Sequence, residues 1–234
     1  MKNIAGTRMI ILLLAFATMV AARVVSEATP AIGRKMKQNA ATLQRYTHKR
    51  RTEITVKGKS RGARVDLVRY IDGKAETVPL EAPPRPAQSS RARGLRGRMI
   101  EPKIENKKEE MTRDVAHLKN LLASYSPGAD SMRQVFEKAA ISRTGSGPAA
   151  DIKLVANGVV KPSDSFTLLW STADHRPKEI EIHADMDGKP VAITLQYAAL
   201  PDGTFYAAHT VVSAPKKDVT ITIDTFDYAP SNSA

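Results

Sequence analysis

The chain has 234 residues, 42% hydrophobic and 26% charged, with a formal net charge of +12. That composition excludes wholesale disorder and a multi-span membrane protein. There is no cysteine, which excludes a disulfide scaffold, a thiol nucleophile, a cysteine-based metal site and lipid attachment at an N-terminal cysteine.

Lys2 and Arg8 precede an apolar run from Met9 to Ala22 that ends in small residues. A charged start, an apolar middle and a small-residue exit form the secretory pattern. The run is shorter than the ~20 residues a membrane span needs. Residues 1–28 therefore read as a signal peptide, cleaved after Ala22 or Ala28. The expected compartment is the periplasm, with secretion or tethering by an uncleaved signal as lesser alternatives. A single domain is expected over 29–229, with a disordered tail at 230–234.

Thr29-Pro30 places an N-cap candidate before a proline at the first helical position. Ile32, Met36, Ala40 and Leu43 follow at helical spacing, which predicts an amphipathic helix over 30–45. The period then drops to two. Thr52, Ile54 and Val56 alternate with Glu53 and Thr55, and a second run follows from Val65 to Ile71. Asp72-Gly73 between that run and Lys74–Val78 is a hairpin signal. Three antiparallel strands are expected here.

Residues 79–103 interleave prolines with Arg85, Arg91, Arg93, Arg96 and Arg98. Little of this can be buried, so it reads as a mobile basic loop. It belongs to a strongly basic section: residues 34–100 carry 18 Lys and Arg against 5 Asp and Glu. Residues 141–234 carry 8 against 11. A field of that sign draws anionic partners, either a membrane surface or an envelope polymer. The five arginines are the expected contact. Nucleic acid is disfavoured as a partner, because an exported protein rarely meets it and the basic section has only Tyr46 and Tyr70 for base stacking.

Residues 104–140 read as a helical insertion. Met111, Val115, Leu118, Leu121, Leu122 and Tyr125 share one helical face, and Ser126-Pro127-Gly128 ends that helix. A shorter helix turns Met132, Val135, Phe136 and Ala139 inward. After Gly145-Ser146-Gly147-Pro148 the pattern is that of strands. Turn signals at Asn157-Gly158, Asp187-Gly188, Pro201-Asp202-Gly203 and Pro215-Lys216-Lys217 separate alternating runs, the mark of an antiparallel meander with one apolar face. The expected fold is α+β: a curved antiparallel sheet of about nine strands forming a half-barrel. An N-terminal helix and a helical hairpin cover its concave face.

The sequence has no nucleophile elbow, phosphate loop or dinucleotide fingerprint. Its five histidines have no metal-ligand spacing. Asp185-Met186-Asp187-Gly188 starts like a calcium loop, but Gln196 stands where the closing glutamate is needed. No enzyme, metal or cofactor is expected. What remains is an apolar sheet face. Phe166, Leu168, Trp170, Ile180, Ile182, Ile193, Leu195, Tyr197, Ile221 and Ile223 are the candidate lining of a ligand cavity. Alternation alone is equally compatible with a packed core at these positions.

The layout resembles the periplasmic lipoprotein-localisation half-barrel family. The features shared are a signal peptide, a first helix leading into Thr52–Val56, and a meander containing Leu200–Thr204 and Val219–Ile223. The resemblance implies a carrier of lipids or lipidated proteins. The 79–103 stretch and the charged helix after it are departures from that family, and no family arginine maps onto a position here. The leading expectation is an exported, non-enzymatic protein that holds a lipid or another apolar ligand in a helix-covered half-barrel. The rival is a cell-envelope interaction or scaffold module with a solid core, binding an anionic partner through the 79–103 loop.

Overall fold

A computed structural model describes residues 29–80, 130–145, 147, 150–186 and 188–231, with scattered positions between Arg113 and Tyr125. Ten strands form one antiparallel sheet: β1 (Tyr46–Val56), β2 (Lys59–Ile71), β3 (Lys74–Pro79), β4 (Ala140–Thr144), β5 (Asp151–Asn157), β6 (Ser165–Ser171), β7 (Arg176–Met186), β8 (Lys189–Ala199), β9 (Phe205–Ala214) and β10 (Val219–Pro230). Helix α1 covers 29–43, the described positions from 113 to 124 are helical (α2), and α3 is Asp130–Lys138. The signal peptide and all five loop arginines lie outside the described residues. So does most of the expected insertion before Asp130.

The strand order is β3-β2-β1-β10-β9-β8-β7-β6-β5-β4. Every neighbour follows in sequence except β1 and β10, which join the two ends of the domain in the middle of the sheet. They pair in antiparallel register, with Ile54 opposite Ile221 and Thr52 opposite Ile223. The edges are thus β3 and β4, and the chain between them must cross the sheet. Leu118 and Tyr125 of that crossing, and Met132 and Val135 of α3, are buried in the same core as the sheet. The described part of that crossing therefore packs on the concave face, whose apolar side chains form this core.

The hairpin signals have a backbone cause. Asp72 and Gly73 both have positive φ, as do Lys57 and Gly58, the geometry of the two-residue turns that match strand twist. Strand β4 is a tenth strand that the pattern had not announced. It has one inward apolar residue, Ile141, opposite Leu154 of β5.

Along the sheet the concave face changes character. From β5 to β9 it carries Leu154, Phe166, Leu168, Ile180, Ile182, Ile193 and Val212, all buried. On β1 and β2 the same face carries His48, Arg50, Thr52, Arg64 and Asp66, in register across the pair. Helix α1 spans both regions. Ile32 and Met36 enter the core, while its last turn reaches the β2–β3 turn, where Gln44 approaches Gly73.

Candidate functional site

The core beneath the helices is filled. Leu154 and Leu168 have no exposed surface, and Phe166, Ile182 and Ile193 have almost none. Phe205 sits edge-on to Trp170 at a centroid distance of 6.1 Å and to Tyr197 at 6.2 Å. Burial pushes the Tyr197 phenol well above its ordinary pKa.

Space opens where the apolar and charged parts of the face meet. A cleft of about 650 Å³ lies over β1, β2, β9 and β10, with Leu118 of α2 on its upper side. That volume is within the range of about 300–1,000 Å³ for small-molecule sites. Its floor is Ile54, Val212, Ile221 and Ile223. Leu118, Val212 and Ile221 also belong to the buried core, so the floor continues into it. The other wall is charged: Arg50, Arg61, Arg64 and Asp66 border it, with Thr77 of β3.

The wall is organised around Asp66, which is 1% exposed. Arg64 Nη2 donates to Asp66 Oδ2 at 2.8 Å. Its Nε lies 2.8 Å from Oδ1 as an ion-pair contact, and Oδ1 accepts no hydrogen bond among the described residues. Arg50 Nη2 donates to Asp66 Oδ2 and to Thr77 Oγ1, each at 3.4 Å. Arg50 Nε is buried and makes no hydrogen bond among the described residues.

Arg61 reaches the cleft through a bulge. Glu53 pairs with Ala63 and Thr55 with Ser60, so Arg61 and Gly62 together oppose the single residue Ile54. An extra residue on one strand re-aims the side chains around it. Gly62 takes the strain, with φ of +122°, a region open in practice to glycine. Without the bulge, alternation would send Arg61 to the convex face with Val65 and Leu67.

The ten apolar candidates divide. Ile221 and Ile223 border the cleft. Phe166, Leu168, Trp170, Ile180, Ile182 and Ile193 are buried in the core, with Leu195 and Tyr197 half-buried against it. The cationic wall escaped the sequence reading. The only signal available was a glycine near the start of a strand pattern, Gly62 within Arg61-Gly62-Ala63-Arg64, which marks a bulge.

Behind the wall lies an aromatic cluster. His48 stacks on Tyr228 at 4.7 Å between centroids, and Tyr228 lies 4.3 Å from Tyr206. Burial, and then the nearby Arg50 charge, lower the His48 pKa to about 4. On the convex face His209 Nδ1 is 2.7 Å from Asp224 Oδ1, an ion-pair geometry on the opposite side of the sheet from Ile223. Among the described residues no group of three or more His, Asp and Glu is arranged to hold a metal. No described helix is long and apolar enough to cross a membrane.

An open antiparallel half-barrel with helices on its concave face and an amphiphilic cleft at one end is the class this geometry defines. No family model matches the chain, and no curated protein matches it in sequence. Solved structures do match. A DUF1329 family protein from Desulfovibrio piger is 11% identical with a TM-score of 0.44, covering 90% of this chain and 95% of that one. A domain assigned to outer membrane lipoprotein sorting, from Vibrio parahaemolyticus, is 10% identical with a TM-score of 0.44, covering 89% and 94%. A LolA superfamily protein from Nitrosomonas europaea is 8% identical with a TM-score of 0.34, covering 86% and 94%. The similarity is one of layout.

Proposed function

We propose that this chain is an exported, non-enzymatic binding protein that holds the acyl chain of a lipid or lipidated protein in the cleft between β1, β2, β9, β10 and α2. The observation that carries this reading is the cleft floor. Ile54, Val212, Ile221, Ile223 and Leu118 line the apolar side of a cleft of about 650 Å³. Covering apolar surface there with a ligand gains about 25 cal/mol for each Å². Export is supported by the secretory pattern of residues 1–28. The remaining apolar candidates, Phe166 to Tyr197, serve as the rigid wall against which the floor is held.

Native mass spectrometry of the signal-cleaved protein, after incubation with membrane lipid and followed by solvent extraction, tests it. A discrete lipid-sized adduct is expected, and it is lost in a folded Ile223→Glu variant. A bare mass under the same conditions overturns the proposal. The filled β5–β8 core favours a second reading, a solid scaffold module of the envelope. On that reading the protein stays bare whatever lipid is offered.

A further inference from the structure

Three guanidiniums on the cleft wall have no part in holding an acyl chain. Asp66 is the one carboxylate among the described lining residues, and it is shared by Arg64 and Arg50. Arg61 is exposed and has no ion-pair partner among the described residues. The wall thus carries more positive charge than Asp66 balances, and Arg50 Nε is a buried donor still without an acceptor. Buried donors are rarely left unpaired without cause.

We propose that this wall recognises an anionic head group, so that the cargo of the cleft is an acidic single-chain lipid. Its phosphate or carboxylate lies against Arg61 and Arg64, and its acyl chain lies on Ile54, Ile221 and Ile223. The inference rests on the acyl reading above and adds the chemistry of the head. Guanidinium presents a planar fork that matches phosphate and carboxylate oxygens. A cleft with one sign of charge and low-dielectric walls concentrates ligands of the opposite sign. A neutral head would cover these charges and return no hydrogen bond to them, which is costly. A free anion would leave the apolar floor uncovered. Only an amphiphile uses both halves of the lining. Asp66 holds Arg50 and Arg64 in place, and the Gly62 bulge adds a third cation that is free to move onto the ligand.

Isothermal titration of the delipidated full chain tests this with three probes below their micellar concentrations: oleoyl lysophosphatidate, monooleoyl glycerol and inorganic phosphate. Wild type is expected to bind the lysophosphatidate about tenfold tighter than the uncharged lipid of the same chain. Arg61→Gln should remove about fivefold of that preference and leave monooleoyl glycerol unchanged, with Arg61→Lys restoring part of it. Arg61 is exposed and has no ion-pair partner among the described residues, so the variant keeps its fold, which circular dichroism verifies. Equal affinity for the two lipids, or equal weakening of both by Arg61→Gln, overturns the head-group assignment and leaves the acyl site standing. Phosphate binding as tightly as lysophosphatidate makes the wall a free-anion site and overturns the lipid assignment. Failure of both lipids to bind overturns the acyl reading itself.

Discussion

The side-chain amide of Asn39 engages both backbone groups of Phe205: Nδ2 donates to the carbonyl at 2.6 Å, and Oδ1 accepts from the amide at 2.8 Å. Asn39 is 8% exposed, so this pair acts inside the core. It pins α1 to the start of β9 across 166 positions of sequence. It also seats the Phe205 ring between Trp170 and Tyr197. Asn39→Ala leaves a buried amide and a buried carbonyl unpaired. We expect a loss of about 2–4 kcal/mol in urea unfolding. Asn39→Asp keeps an acceptor for the Phe205 amide but sets a buried carboxylate against the Phe205 carbonyl, so its loss should be at least as large. An unchanged midpoint in Asn39→Ala would mean that α1 is held by its apolar stripe alone.

A second anchor ties α2 to the sheet. Tyr125 Oη donates to Asp164 Oδ2 at 2.8 Å, and the same oxygen accepts the Lys161 amide at 2.8 Å. Burial, and then the bond to Asp164, push the Tyr125 phenol well above its ordinary pKa. Tyr125→Phe keeps the ring and removes the hydroxyl. It should cost about 1–3 kcal/mol. Hydrogen exchange should quicken around Leu118 and Leu121 before it does so in the strands. Uniform loss of protection would instead place α2 in the same cooperative unit as the sheet.

The apolar positions on the concave face should separate stability from binding. Leu168 has no exposed surface, and Leu168→Ala should cost about 2–5 kcal/mol while leaving the affinity of the folded fraction for lipid near wild type. Ile223 is half-buried at the cleft. Ile223→Ala should cost about 1 kcal/mol of stability and weaken lipid binding severalfold. Parallel denaturation and lipid titrations of the two variants check the separation, and the reverse ranking would move the ligand into the β5–β8 region.

His48 makes stability depend on pH. Its folded pKa is lowered to about 4 from 6.5, so between those values the unfolded chain binds a proton that the folded chain refuses. Stability from this group is fully present above pH 6.5 and falls as pH drops toward 4. Urea midpoints from pH 7 to 5 should show a slope that is reduced in His48→Phe, which keeps a ring against Tyr228. The imidazole resonances should stay at their neutral positions until pH approaches 4. Titration of those resonances near 6.5 would show that His48 is solvated.

Replacing Gly62 should disturb the cleft more than the core. Nothing lies within 4 Å of a Cβ placed there, yet its φ is +122°. Gly62→Ala is therefore strained by the backbone and not by crowding, at a cost of about 1 kcal/mol. If the bulge is expelled, Arg61 turns to the convex face. The preference for an acidic lipid should then fall as in Arg61→Gln, with the neutral lipid unaffected. A variant that keeps wild-type selectivity would show that the bulge survives the substitution.

Local rules carried much of this architecture. Period-two runs between Lys-Gly, Asp-Gly and Asn-Gly turns are enough to announce an antiparallel meander, since each turn is a property of two adjacent residues. The helical stripes through Ile32, Met36, Met132 and Val135 name their own buried faces, because side-chain direction follows from helix pitch. Tertiary structure decided the rest. Ala140–Thr144 becomes a strand only because Leu154 and Val155 of β5 offer it an open edge. The ten apolar candidates look alike in sequence. Which are sealed and which border space depends on where α1, α2 and α3 come to rest. The pairing of β1 with β10 joins residues more than 160 positions apart and sets the apolar floor beside the charged wall. Arg61 joins that wall through one inserted residue in the ladder, an event that no periodicity records.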